Sequence, residues 1–141
     1  MKIVLIVLLV VLLAIVFLIM ASRLVMAFKA WRMKGKDAPI PHKASRKRIR
    51  AGKKTVLYFY TPSCGACRVQ EPIIQRIQKQ YPDAVFKIDA LHNREVATSY
   101  GVMGVPFIAF IENSTIVKAT AGVQSEPIIE EFLAESEKEK I

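Results

Sequence analysis

Cys64 and Cys67 are the only cysteines in 141 residues, three positions apart in the stretch Thr61-Pro62-Ser63-Cys64-Gly65-Ala66-Cys67-Arg68. Two thiols at that spacing can close a small disulfide, and a thiolate is the attacking species in disulfide exchange. At a strand-to-helix junction, helix amides and the helix dipole stabilise charge on the first sulfur, while the second can resolve a mixed disulfide. The competing use is half of a zinc site, which needs two further ligands. His42 and His92 are the only histidines, and neither stands at metal-motif spacing from the cysteines or from the other. No metal and no cofactor is expected, and both histidines read as surface residues.

The elements that must position the pair follow from periodicity and punctuation. Residues 55–61 (TVLYFYT) form a β-branched and aromatic run ended by Pro62, the pattern of a buried strand. Residues 64–81 follow as an amphipathic helix with Val69, Ile73, Ile74 and Ile77 on one face and Pro82 as the stop. Residues 84–89 (AVFKID) read as a second strand and 93–100 as a short helix before Gly101. Two further strands, 107–111 and 115–120, flank a hairpin turn at Glu112-Asn113-Ser114. Residues 125–139 close the chain as a helix, with Ser125 as N-cap, Pro127 in the first turn, and Ile128, Ile129, Phe132 and Leu133 facing inward. The order is βαβα, then ββα.

Composition explains the remainder. The chain is 52% hydrophobic and 23% charged, which excludes disordered, collagen-like and disulfide-dense classes. Part of that apolar content is concentrated in residues 3–21, nineteen positions with no charge, Gly or Pro. As a helix this run covers about 28 Å, close to the hydrocarbon thickness of a bilayer. A cleaved signal peptide is the alternative, but secretory apolar cores run to only roughly 7–15 residues. The expectation is a single transmembrane anchor at 1–22, with a helical continuation over 22–31 that carries Trp31 to headgroup level.

The net charge of +9 is equally local. Residues 22–54 hold twelve basic side chains against one acid, Asp37, whereas residues 55–141 hold eight basic against eleven acidic. Residues 23–54 therefore read as a basic juxtamembrane segment and linker, with 55–141 as the folded domain. Two uses of the basic cluster stay open: contact with anionic lipid, worth about 1 kcal/mol per residue near the surface, or a solvated tether that fixes topology. Nucleic-acid binding is not expected, since the cluster has no interleaved aromatics and no nucleic-acid-binding motif. Five basic residues within fifteen positions of the apolar run place the C-terminal domain in the cytoplasm by the positive-inside rule.

Over residues 55–124 the sequence resembles the thioredoxin family. The features that carry the likeness are the strand leading into Cys64-Gly65-Ala66-Cys67, Pro72 five positions after the second cysteine, Tyr100-Gly101-Val102-Met103-Gly104-Val105-Pro106, and Gly122 after the final strand. The resemblance implies a thioredoxin-like α/β fold; since no extra βα unit is visible before Thr55, that fold reads as trimmed to about four strands with flanking helices. It also implies a cis Val105–Pro106 bond, and Val105 offering its backbone to substrate beside Cys64. Gly65 and Ala66 complete the motif, and Lys87 falls at the position of a family lysine near the site; a solvated strand-end residue is its other reading.

Three departures accompany the likeness. Ser63 replaces the usual Trp before the first cysteine, Tyr58 replaces the Asp usually buried six positions before it, and the motif interior is Gly-Ala rather than Gly-Pro. Glu71, one turn past Cys67, reads as an exposed helix position or a proton shuttle. Arg68 either lowers the cysteine pKa or only solvates its helix.

The reading these observations support is a membrane-tethered thiol-disulfide oxidoreductase. Cys64 attacks, Cys67 resolves, Val105 and Pro106 bind substrate, and Gly65, Ala66 and Lys87 support them. Its partners are a disulfide-containing protein substrate and a separate electron donor or acceptor, with the membrane engaged through residues 3–21. A non-catalytic binding module for membrane proteins, built on the same scaffold, is the alternative. An extracytoplasmic domain is the alternative placement, because membrane-anchored members of the family often face the oxidising side.

Overall fold

The computed structural model describes residues 1–32, 35–39 and 43–138. Its elements are α1 (Lys2–Arg32), α2 (Lys43–Arg50), β1 (Thr55–Tyr60), α3 (Gly65–Gln80), β2 (Val85–Asp89), α4 (Arg94–Ser99), β3 (Phe107–Glu112), β4 (Thr115–Ala121) and α5 (Glu126–Lys138). One mixed four-stranded sheet runs in the order β2-β1-β3-β4. β1 and β2 are parallel, with α3 as their crossover, while β3 is antiparallel to both β1 and β4. The β3–β4 turn places Asn113 and Ser114 at φ 49° and 61°, the left-handed backbone that tight hairpins require.

β1 is apolar at nearly every position because both of its faces are covered. Leu57 and Phe59 join Ile88, Ala97, Tyr100, Phe107, Ala109, Ile111 and Ile116 in one buried layer. Val56 and Tyr58 point the other way, into a layer with Ile74, Ile77, Val85, Ile108, Phe110, Ile129 and Leu133. α3 and α5 supply the helical side of that second layer. Two residues expected to face inward do not: Val69 and Ile128 are exposed. The apolar stripes of both helices are one residue row narrower than the sequence pattern suggests.

The segment expected to be linker up to residue 54 is folded well before that point. Lys43–Arg50 is helical, and its Ile49 is 1% exposed within the layer that contains Leu57 and Tyr100. Ser45 is fully buried, and the Ser114 hydroxyl donates to the Ile49 carbonyl at 2.8 Å. A run of like charge hid this helix, since seven of its eight residues are polar or alanine and a single isoleucine anchors it. Part of the basic cluster is consumed internally. Arg48 Nε donates to the Lys54 carbonyl, and Lys54 pairs with Glu112 at 3.5 Å beneath the Phe132 ring. Arg46, Lys47, Arg50 and Lys53 remain exposed.

Upstream, residues 35–38 run against the outer edge of β4. The Gly35 and Ala38 amides donate to the Ile116 and Ser114 carbonyls, and the Ile116 amide donates to Lys36. This short bridge covers an edge that would otherwise present unpaired backbone groups. Ahead of it, Lys2–Val25 within α1 is long and apolar enough to cross a membrane, and none of it is buried in the protein. The side chain of Trp31, and His42 altogether, lie outside the described residues.

Candidate active site

Cys64 is placed by the end of β1. Its amide donates to the Thr61 carbonyl, and its backbone (φ −83°, ψ 115°) is extended, so the residue caps α3 rather than entering it. The cap is made by sulfur: the Cys67 amide donates to Cys64 Sγ at 3.1 Å. A sulfur at this position accepts a backbone hydrogen bond at the positive end of a helix, which favours negative charge on it. Cys64 and Cys67 are joined as a disulfide, with their Cα atoms 5.2 Å apart. Cys64 is half-buried and Cys67 is 5% exposed, with Gly65 and Ala66 on the surface between them. Cys64 is the more accessible of the two, and Cys67 sits behind it.

The chain returns to this point 41 residues later. Val105 brings its carbonyl oxygen to 3.5 Å from Cys64 Sγ, and the Val105–Pro106 peptide bond is cis. Pro106 is buried, and its carbonyl accepts from the Gly122 amide at 2.8 Å, which ties the start of β3 to the end of β4. Gly122 has φ +94°, a conformation that side-chain-bearing residues rarely adopt. An open groove of about 710 Å³ runs along this junction, lined by Ala66, Gly104, Val105, Pro106, residues 119–124, and Arg23 from α1.

Behind the disulfide lies a buried tyrosine of β1. Tyr58 is fully buried and donates its hydroxyl to the Cys67 carbonyl at 3.3 Å. Burial, reinforced by the nearby charge of Glu71 and by Tyr60, pushes its phenol up to about 12. Glu71 is neither free nor simply exposed: it forms an ion pair with Lys87 and accepts from Gln75 Nε2. The Lys87 ammonium also lies 5.2 Å over the Tyr60 ring, which in turn stacks on Tyr58. Lys87 therefore stands in a charged pair beside the site, while Arg68 is exposed.

A residue that sequence reasoning passed over fixes the loop that lines the groove. Gln70 is fully buried, its Nε2 donates to the Gln124 carbonyl at 3.2 Å, and its Oε1 accepts from the Gln124 amide at 2.6 Å. One side-chain amide thus replaces a missing backbone partner for the loop after β4. The available signal was helical spacing, since Gln70 is three positions after Cys67 and shares its face. Among the described residues no cluster of three metal-ligating side chains occurs. His92 is bound to Asp89 on the surface, Nδ1 to Oδ2 at 2.9 Å.

Comparison with known proteins bears on this geometry directly. The thioredoxin family model matches residues 40–135. The chain is 27% identical to thioredoxin from Bacillus subtilis over 77 residues, which covers 53% of this chain and 74% of that protein. It is 31% identical over 93 residues to NADPH-dependent thioredoxin reductase 3 from Arabidopsis thaliana, covering 64% of this chain but only 18% of that longer protein. Among solved structures, thioredoxin from Fasciola hepatica superposes with a TM-score of 0.56 at 28% identity, over 64% of this chain and 89% of that one. The matched region includes α2, the segment that charge alone had assigned to the linker. By its family model, its sheet order and its paired cysteines, the chain belongs to the thioredoxin family.

Proposed function

We propose that this protein is a membrane-tethered thiol-disulfide oxidoreductase acting on protein disulfides. The observation that carries the reading is the placement of Cys64 Sγ, at a helix N-terminus, paired with Cys67 and facing the Val105 carbonyl. In the reduced protein the Cys64 thiolate attacks one sulfur of a substrate disulfide, forming a mixed disulfide and releasing the first substrate thiolate, which takes up a proton. The Cys67 thiol loses its proton and attacks Cys64 Sγ. This frees the second substrate thiol and leaves the Cys64–Cys67 disulfide. Two electrons pass to the substrate, and a separate protein dithiol must return them.

Val105 and Pro106 form the wall against which the substrate chain lies, with Gly65 and Ala66 leaving the approach to Cys64 open. Lys87 acts beside the dithiol through its pairing with Glu71. Residues 3–21 anchor the chain as a single span, and the excess of basic residues after the span supports a cytoplasmic domain. The exposed Arg46, Lys47, Arg50 and Lys53 are available to anionic lipid.

Two experiments test the reading. Cys67→Ser should trap a mixed disulfide through Cys64, and Cys64→Ser should abolish both trapping and insulin reduction. Retention of either by Cys64→Ser would exclude the mechanism. In intact cells, a membrane-impermeant maleimide applied after mild reduction should label neither cysteine until permeabilisation. Labelling from outside would move the domain to the other face.

A further inference from the structure

The direction in which the anchor leaves the domain carries information about the substrate. Phe59 at the end of β1 pairs with Phe107 at the start of β3, and Phe107 pairs with Ala121 at the end of β4. Ala121 therefore lies at the dithiol end of the sheet, and Thr115, paired with Glu112, lies at the opposite end. α1 contacts β4. Arg23 lines the groove at the Ala121–Gly122 end beside Val105 and Pro106, whereas Gly35 hydrogen-bonds Ile116 and Asp37 bridges Thr115 at the far end. Arg23 thus stands at the dithiol end of β4, and Gly35 and Asp37 stand at its far end.

Because α1 is one continuous helix from Lys2 to Arg32, everything before Arg23 extends past the dithiol end of the domain. The apolar run ends at Ala21, two residues before Arg23, which is about 3 Å of helix. With that run in the hydrocarbon, Arg23 stands in the headgroup layer, roughly 5–8 Å deep on each side. The groove it lines opens at the same level. A domain on a long free tether would sample all orientations, but here α1 and residues 35–38 both fasten to β4.

We propose that the dithiol groove is turned toward the bilayer, with Arg23 forming part of its wall. Its substrates are then disulfides of membrane-embedded proteins within the first few residues outside the membrane. This rests on the tethered-oxidoreductase reading and names its substrate class. A disulfide near a span reaches Cys64 without the domain moving, whereas one on a distant soluble domain must work around α1.

The test uses the full-length chain in lipid nanodiscs with a co-reconstituted single-span peptide. The peptide carries a disulfide hairpin either adjoining the span or beyond a spacer of about 20 extended residues, which spans up to roughly 65 Å. The adjoining disulfide should be reduced at least 10-fold faster than the distal one. Insertion of a flexible Gly/Ser stretch between Met33 and Lys34 should bring the two rates together by raising the distal one, with insulin reduction retained or raised. Equal rates for the unmodified chain, with insulin reduction intact, would overturn the membrane-facing groove alone. Failure to reduce insulin or either peptide would overturn the oxidoreductase reading and this inference with it.

Discussion

The hydroxyl of Tyr58 donates to the backbone carbonyl of Cys67 at 3.3 Å, so Cys67 is held from behind by a buried phenol. In the thioredoxin pattern set out above, a carboxylate is expected at this position. The substitution changes what the residue can do. A phenol pushed up to about 12, first by burial, keeps its proton through the neutral range and acts here as a fixed donor.

Tyr58→Phe keeps the ring that packs in the second core layer and deletes only the donor. The expected cost is that of one buried neutral hydrogen bond, about 0.5–1.5 kcal/mol, read from urea unfolding of the full chain in detergent micelles. The pH profile of insulin reduction should keep its shape through neutrality. A shifted profile would mean that the phenol takes part in proton transfer.

Gln70→Ala should be more damaging than its polar character suggests. Removing the side chain leaves both the amide and the carbonyl of Gln124 without their partner inside a part-buried loop. Unsatisfied buried groups cost about 1–3 kcal/mol each, and the loop is the same one that lines the groove with Gly122 and Val123. The expected outcome is a loss of stability accompanied by a raised KM for a protein disulfide. A stability loss with an unchanged KM would show that the loop keeps its place without the clamp.

How much of this was readable in advance depended on whether the signal was local. The β1 run, the CxxC at its end and the 3.6-residue stripes each carry their meaning within a few residues, and the structure has those elements at those places, while the cis Val105–Pro106 bond was legible only through the family resemblance. Tertiary pairing was not readable. Glu71 and Lys87 are 16 residues apart and meet only because α3 crosses back over β2, and Gln70 finds Gln124 across 54 positions. α2 was hidden for a different reason. Its mean composition is that of a solvated segment, and one buried Ile49 decides its fate. Charge density hid the folding of residues 43–54, where Arg48 and Lys54 are drawn into contacts within the domain.

Ile49→Ala separates those two descriptions. A linker side chain would tolerate the change within about 0.5 kcal/mol, whereas deleting a fully buried isoleucine costs about 2–5 kcal/mol. Ile49 packs in the layer with Leu57, Tyr100 and Ile111, so the larger figure is expected, measured as a shift of the urea midpoint at constant slope. An unchanged midpoint would return this segment to the linker.

The last prediction concerns acid stability, through the pair that joins α3 to α5. Arg76 donates from Nε and Nη2 to Glu126, with the shortest contact 2.7 Å, and this hydrogen bonding holds the Glu126 carboxyl below its ordinary range. A carboxyl whose folded value lies below its unfolded one contributes stability above the unfolded pKa, about 4.3 for glutamate. That contribution is lost as the pH falls through the depressed folded value, where the carboxylate protonates and Arg76 loses its acceptor. Arg76→Gln should therefore lower the unfolding midpoint at neutral pH, and the gap from the unmodified chain should narrow as the pH drops below about 4. Raised salt should shrink the neutral-pH gap too, because the pair is open to solvent. A gap that stays constant from neutral to acid pH would mean that Arg76 stabilises the helix pair by packing its stem rather than by its charge.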